Sequence, residues 1–263
     1  MLKVRILSAI VLAPLVLAGI YVGGIWLDAL MLLAAGLMGW EWARLCSGAR
    51  LVPGGYLVIV VLVALPLFFA VGLSQHALLE LLAGTLAVLV VSLVLHRHQA
   101  LWHQALWLAG GTFYIGLAVL SFLWLRHLPE QGRDLVFWVL AVVWAVDIGA
   151  YFAGRGIGGP KLAPRISPNK TWAGLIGGSL AAGLVSALAA LWLDKQAGTL
   201  FFVGCALAVV AQGGDLLESF CKRHFGVKDS SHLIPGHGGI LDRVDGLLAV
   251  LPVVFVFVWA LEV

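Results

Sequence analysis

Residues Leu135–Gly154 read LVFWVLAVVWAVDIGAYFAG, a run of 20 positions with a single side chain that is charged at neutral pH, Asp147. A helix of that length is roughly 30 Å long, the thickness of a bilayer's hydrocarbon core. An outer-membrane strand would instead alternate apolar and polar positions over about 10 residues, and no such alternation is present. Eight further runs of the same kind lie on either side: Val4–Gly24, Ile25–Leu45, Tyr56–Gly72, Ala77–Leu95, Ala105–Leu125, Trp172–Leu193, Thr199–Ser219 and Gly246–Glu262. Apolar residues make up 62% of the chain and charged ones 11%, against about 45–50% and about 25% in soluble domains. The mean hydropathy of +1.05 says that the apolar excess is spread along most of the chain. The reading is an all-α polytopic membrane protein of about nine transmembrane helices, with no soluble domain appended. Cys46, Cys205 and Cys221 form no CxxC pair and read as small core residues. The net charge of +3 gives no reason to expect a nucleic-acid partner.

The placement of charge orients the chain. With the N-terminus in the cytoplasm, 13 of the 16 Lys and Arg residues fall on the cytoplasmic side, Lys3, Arg5, Arg44, Arg50 and Arg97 among them. Only Arg126, Arg133 and Lys195 fall on the other. Dropping one span or flipping the chain destroys that asymmetry, so the C-terminus is expected outside. Pro14, Pro66 and Pro252 are expected inside helices, and Gly19-x-x-x-Gly23 and Gly174-x-x-x-Gly178 as faces of close helix packing.

Carboxylates inside apolar runs are costly and need a reason. Glu41, Asp147, Asp215 and Glu218 all fall in the last turns before the cytoplasm, and Asp242 and Asp245 sit where the ninth run leaves that side. Asp215 and Glu218 are spaced i, i+3, as are Asp242 and Asp245, which puts each pair on one helix face. One reading is a set of ion pairs bracing helix ends. The other is a site for a hard cation, because Mg²⁺ prefers oxygen ligands and usually holds substrate phosphates as well.

Two long loops on the same side, Arg155–Thr171 and Phe220–Asp245, hold eight of the basic residues. The glycines around Arg155 do not make a P-loop, since no Gly-Lys-Ser/Thr follows at the required spacing. They can still turn backbone amides toward an anion, and the seventh run begins just after Lys170-Thr171 with its N-terminal dipole end facing the same space. Lys170, Lys222 and Arg223 stand nearest the carboxylates. His237 lies in Pro235-Gly236-His237-Gly238-Gly239, where glycines permit tight turns. HExxH and CxxC spacings are absent, which argues against zinc.

The stretch Ser219-Phe-Cys-Lys222-Arg223, then Lys228-Asp229, then Pro235-Gly-His237-Gly238-Gly239-Ile-Leu-Asp242-Arg243-Val-Asp245 resembles the phosphatidate cytidylyltransferases, or CDP-diacylglycerol synthases. So do Asp147-Ile-Gly-Ala-Tyr-Phe-Ala-Gly154-Arg155 and Ile166-Ser167-Pro-Asn-Lys170-Thr-Trp172. Cys221, Ile148 and Ala173 depart from the family pattern. The resemblance covers the C-terminal half in residues and the N-terminal half mainly in hydropathy. Residues 1–263 are thus expected to form one integral membrane domain, with N-terminal helices in 1–134 and a motif-bearing catalytic half in 135–263.

The resemblance implies a reaction in which CTP and phosphatidate give CDP-diacylglycerol and pyrophosphate, in phospholipid biosynthesis. It implies catalytic roles for Asp215, Asp242, Asp245, Lys222 and Arg243. Substrate contacts would come from Arg155, Ser167, Lys170, Arg223, Lys228, Asp229, His237, Gly238 and Gly239. Mg²⁺ would draw on Asp215, Asp242, Asp245, Glu218 and Asp147, with K⁺ as a second cation. A homodimer, contact with membrane lipids, and a bacterial inner membrane with the site facing the cytoplasm complete the expectation. The competing readings are a related CTP-using enzyme such as a polyprenol kinase, and a secondary transporter. The transporter fits poorly, because the polar residues gather at one membrane face and no inverted repeat is visible.

Overall fold

A computed structural model describes residues 2–48, 50–95 and 102–262; of residues 2–7, 9, 261 and 262 only the backbone is described. Among the described residues nine α-helices are formed: α1 (Leu2–Val22), α2 (Gly24–Cys46), α3 (Pro53–Ala70), α4 (Ala77–Leu95), α5 (Trp102–His127), α6 (Gly132–Gly156), α7 (Trp172–Leu193), α8 (Ala197–His224) and α9 (Leu241–Glu262). Among the described residues α2 to α9 are long and apolar enough to cross a membrane, while the apolar part of α1 is described only over Ile10–Val22. The helical membrane fold expected from the sequence is borne out. Arg97 lies outside the described residues, as do the side chains of Lys3 and Arg5.

The helix ends follow local chemistry. Thr171 caps α7, its Oγ1 accepting from the Gly174 amide at 3.0 Å. Pro53 opens α3 at a position where a missing amide costs nothing. Gly23, at φ 71°, breaks the chain between α1 and α2, so it serves a turn and not the packing face expected of it. Pro14, Pro66 and Pro252 all lie inside helices, as expected.

Hydropathy placed three boundaries too early or too late. Helix α8 continues past Ser219 to His224, so Lys222 and Arg223 stand on its last turn, where cations complement the helix dipole. Arg155 likewise belongs to the last turn of α6. Asp242 and Asp245 lie in the first turns of α9. The first long loop also contains a short antiparallel hairpin, β1 (Lys161–Ala163) and β2 (Ser167–Thr171), pairing Lys161 with Thr171 and Ala163 with Ser167.

The chain divides into two compact units, residues 1–123 with 225–244, and residues 124–224 with 245–263. In the first, α2 packs on α3 and α3 on α4 around Leu27, Leu62, Leu65 and Leu81, all essentially inaccessible. Gly111 leaves room for the Trp42 indole, whose Nε1 donates to Trp107 O at 2.9 Å. In the second unit α6, α7 and α8 pack in sequence through small residues. A methyl on Gly178 would lie 2.9 Å from Val146 O, and one on Gly174 3.1 Å from Ala150 O, so Gly174-x-x-x-Gly178 is the close-packing face expected. Trp138 Nε1 donates to Ser186 Oγ across the same interface at 3.0 Å.

Candidate active site

The second unit gathers a cluster of mixed charge on α8, β2 and the start of α9. Lys170, carried by β2 just before the α7 cap, places Nζ 2.6 Å from Asp215 Oδ2 and within 3.5 Å of Gln212 O. The other Asp215 oxygen accepts from Ser219 Oγ at 3.3 Å, one turn along α8. Lys222 Nζ pairs with Glu218 Oε1 at 3.3 Å, and both side chains are nearly buried. Asp245 lies within electrostatic reach of Asp215, Glu218 and Lys222, and its Oδ1 accepts from the Gly246 amide at 2.8 Å. Gly214 admits this approach: a methyl there would lie 2.7 Å from Asp245 O. Three carboxylates and two lysines thus share one patch.

The other expected residues of this unit are more open to solvent than Glu218 and Lys222. Arg155 is exposed, with Nη1 donating to Tyr151 Oη at 2.9 Å. Asp147 and Arg223 are exposed, and Ser167 is half-buried in β2.

The first unit holds the second half of the motif. His237 Nδ1 lies 2.8 Å from Ser8 Oγ of α1. Gly236 and Gly238, at φ 79° and 88°, turn the chain so that the Ile234 amide donates to Gly238 O at 2.8 Å. Asp242 Oδ2 accepts three hydrogen bonds, from Ser230 N (2.9 Å), Ser230 Oγ (2.9 Å) and Gly239 N (2.8 Å). The reach from Asp242 back to the Gly239 amide works as a capping box does, satisfying an orphan donor at the start of α9. Lys228, Asp229 and Arg243 are exposed.

One group in this unit has no role in the expected site. Glu41 of α2 is 0% exposed and accepts four hydrogen bonds. Ser231 Oγ (2.6 Å) and Ile240 N (2.9 Å) donate to Oε1, and Ser230 Oγ (3.2 Å) and Leu241 N (2.8 Å) donate to Oε2. Hydroxyls and backbone amides thus meet the Glu41 carboxylate. Hydrogen bonds to a charged group contribute about 1.5–3 kcal/mol each, so three bonds, with a fourth whose Ser230 proton is shared with Asp242, offset much of the cost of burying it. The available signal was the carboxylate itself, placed in the last turns of an apolar helix beside Trp42. Its partners, 189 to 200 residues away, were not legible.

No group of three His, Cys, Asp or Glu side chains arranged to hold a metal ion occurs among the described residues. Magnesium is commonly held by one or two carboxylates together with substrate phosphates. The neighbouring Asp215 and Asp245 fit that pattern better than a site closed by protein ligands alone.

Comparison with known proteins shows the family. The model of the cytidylyltransferase family matches residues 3–261. A phosphatidate cytidylyltransferase of Brucella suis is 40% identical over 239 residues, covering 87% of this chain and 83% of the relative. One from Pseudomonas aeruginosa is 36% identical over 99% of this chain and 98% of its own length, and one from Rickettsia felis 35% identical over 81% and 90%. The chain belongs to the cytidylyltransferase family, and the resemblance read from the motif residues is borne out.

Proposed function

We propose that this chain transfers the cytidylyl group of CTP to phosphatidate at the cytoplasmic face of a bacterial inner membrane, releasing pyrophosphate. The supporting observation is the patch of Lys170, Asp215, Glu218, Lys222 and Asp245 at the ends of membrane helices, in a chain whose relatives carry that activity in their names. The lipid's phosphate lies at headgroup level and the nucleotide arrives from water, so a site at helix ends serves both. The positive-inside distribution of Lys and Arg assigns those ends to the cytoplasm.

In this reading a phosphatidate oxygen attacks the α-phosphorus of CTP in line. The new P–O bond forms as the bond to the β-phosphate oxygen breaks, and pyrophosphate leaves with that electron pair. The nucleophile is already an anion, so no side chain need remove a proton. Lys170 and Lys222 hold phosphate oxygens and offset charge that grows toward the leaving group. Arg243 and the exposed Arg155, Arg223 and Lys228 draw both anions to the face. His237, Gly238 and Gly239 shape the loop against which the nucleotide rests, with Ser167 and Asp229 as further contacts. Asp215 and Asp245 would hold Mg²⁺, with Asp242, Glu218 and Asp147 as further candidates. The metal would neutralise triphosphate charge when bound. A K⁺ ion and a homodimer remain part of the proposal.

The test uses purified protein with phosphatidate and CTP labelled at either the α- or the γ-phosphate. Label from the α-position alone on lipid supports the reading. Label from the γ-position on lipid would show a kinase, and no labelled lipid would leave transport.

A further inference from the structure

We infer that Glu41 is a positioning residue for cytidylyl transfer: it staples both ends of the Ser230–Leu241 segment and thereby sets the Asp242 carboxylate. The inference rests on the proposed function for what is positioned, and on geometry alone for the staple.

The four donors to Glu41 come from two places in sequence. Ser230 and Ser231 open the segment, and the amides of Ile240 and Leu241 close it at the first turn of α9. One carboxylate therefore fixes the separation of two points ten residues apart, between which His237, Gly238 and Gly239 lie. The closure is tight. A methyl on Gly239 would lie 2.5 Å from Glu41 Oε1 and would also run into Ser230 Oγ.

Ser230 Oγ links Glu41 to Asp242. It lies 3.2 Å from Glu41 Oε2 and 2.9 Å from Asp242 Oδ2, and its single proton can serve only one of them at a time. The Ser230 and Gly239 amides supply the other two bonds to Asp242, so its orientation follows that of the stapled segment. Helix α2 holds the carboxylate in register: Trp42, next in sequence, is pinned to Trp107 O, and Ala43 and Ala35 are fully buried on the same helix. A buried carboxylate in a membrane helix is expensive, and bracing one helix end could be done with a serine cap. Meeting four donors of one motif-bearing segment requires an acceptor-only group with two oxygens, which glutamate provides and glutamine does not.

The test is Glu41→Gln in the full-length protein, assayed for kcat, KM and loop protection. The amide nitrogen of Gln would face two donors, so the segment should shift while α2 still packs. A misplacement of about 1 Å costs on the order of 100-fold in rate. The expected result is therefore a kcat per folded protein lower by about that factor, with KM for CTP changed by less than about threefold. Trypsin should cut at the exposed Lys228 several-fold faster, while cutting at Arg165 in the β1–β2 hairpin is unchanged. Wild-type kcat in the folded fraction, or unchanged protection at Lys228, overturns the inference. If Glu41→Gln cannot be recovered folded, Ser231→Ala decides, because it removes the 2.6 Å bond to Oε1 and, besides that, only the 3.1 Å bond that Ser231 Oγ accepts from the Leu233 amide inside the segment. A several-fold loss of kcat at normal yield supports the inference, and unchanged kcat overturns it. The proteolysis arm needs no substrate, so a protein that fails to make CDP-diacylglycerol would defeat the functional reading and leave the staple to be judged by itself.

Discussion

Lys170 Nζ stands 2.6 Å from Asp215 Oδ2, so a lysine from the β2 strand neutralises the aspartate of α8. Asp215 is about one-third exposed and Lys170 about one-sixth, which leaves the pair open on one side to an incoming anion. Under the proposed function, a triphosphate arriving with a cation would offer both partners a better arrangement: Asp215 would hold the metal, and the Lys170 ammonium would meet phosphate oxygen.

Lys170→Ala should therefore raise KM for CTP by about tenfold, the loss of one charge-assisted contact. Phosphatidate KM should change little. Lys195→Ala, exposed beyond the end of α7, should leave both unchanged. Steady-state kinetics with each substrate varied in turn checks this. A shift in phosphatidate KM instead would reassign Lys170 to the lipid.

A single cysteine placed at Lys161 should react with a membrane-impermeant maleimide only from the cytoplasmic side, and one at Gln196 only from the opposite side. The expectation follows from the strong bias of Lys and Arg to one set of loops. Labelling of both from one side would remove the topology on which the cytoplasmic assignment rests.

The helices were legible because hydropathy is a direct readout of the bilayer. Helix α7 was read at Trp172–Leu193 and is found there, since both its start after Thr171 and its end before Asp194 are marked by polar residues. Helix α8 was read to Ser219 and runs to His224. Hydropathy reports where a chain leaves the membrane, and Cys-Lys-Arg-His can leave it while remaining helical. The β1–β2 hairpin was hidden for a different reason: Pro164 and Pro168 and strands of three and five residues give no period to detect. In the site, the motif aspartates stood out by type and spacing. Glu41 stood out by type and depth alone and Ser230 and Ser231 not at all, because the contacts that join them span nearly 200 residues of chain.

The small-residue faces carry much of the packing, and Gly111 tests this in the first unit. Any side chain there would overlap the Trp42 indole. Gly111→Ala should displace Trp42, break its bond to Trp107 O, and lower stability by about 1–3 kcal/mol. Gly213→Ala on α8, with open space around it, should cost nothing by comparison. Thermal unfolding in detergent, followed by tryptophan fluorescence, checks both. Equal melting temperatures for the two variants would contradict the packing described.

The last prediction separates a metal site from a brace of helix ends. Asp215→Asn and Asp245→Asn keep the size of the side chain and part of its hydrogen bonding but remove the negative charge that a hard cation needs. If these residues hold Mg²⁺, each variant should be recovered folded yet lose activity by about 100-fold or more, as removal of a transition-state charge clamp does. Chelation by EDTA should abolish wild-type activity, and added Mg²⁺ should restore it. Asp215→Asn should then need more Mg²⁺ for half-maximal activity, because one ligand is weakened and the Lys170 ammonium is left facing the site. If the carboxylates only brace α8 and α9, the variants should instead melt earlier while the folded fraction turns over normally. Glu80→Gln in α4, outside the patch, provides the control and should match wild type in activity and in Mg²⁺ dependence. Normal turnover in both aspartate variants would remove the metal from the mechanism and leave Lys170 and Lys222 to handle the phosphate charge alone.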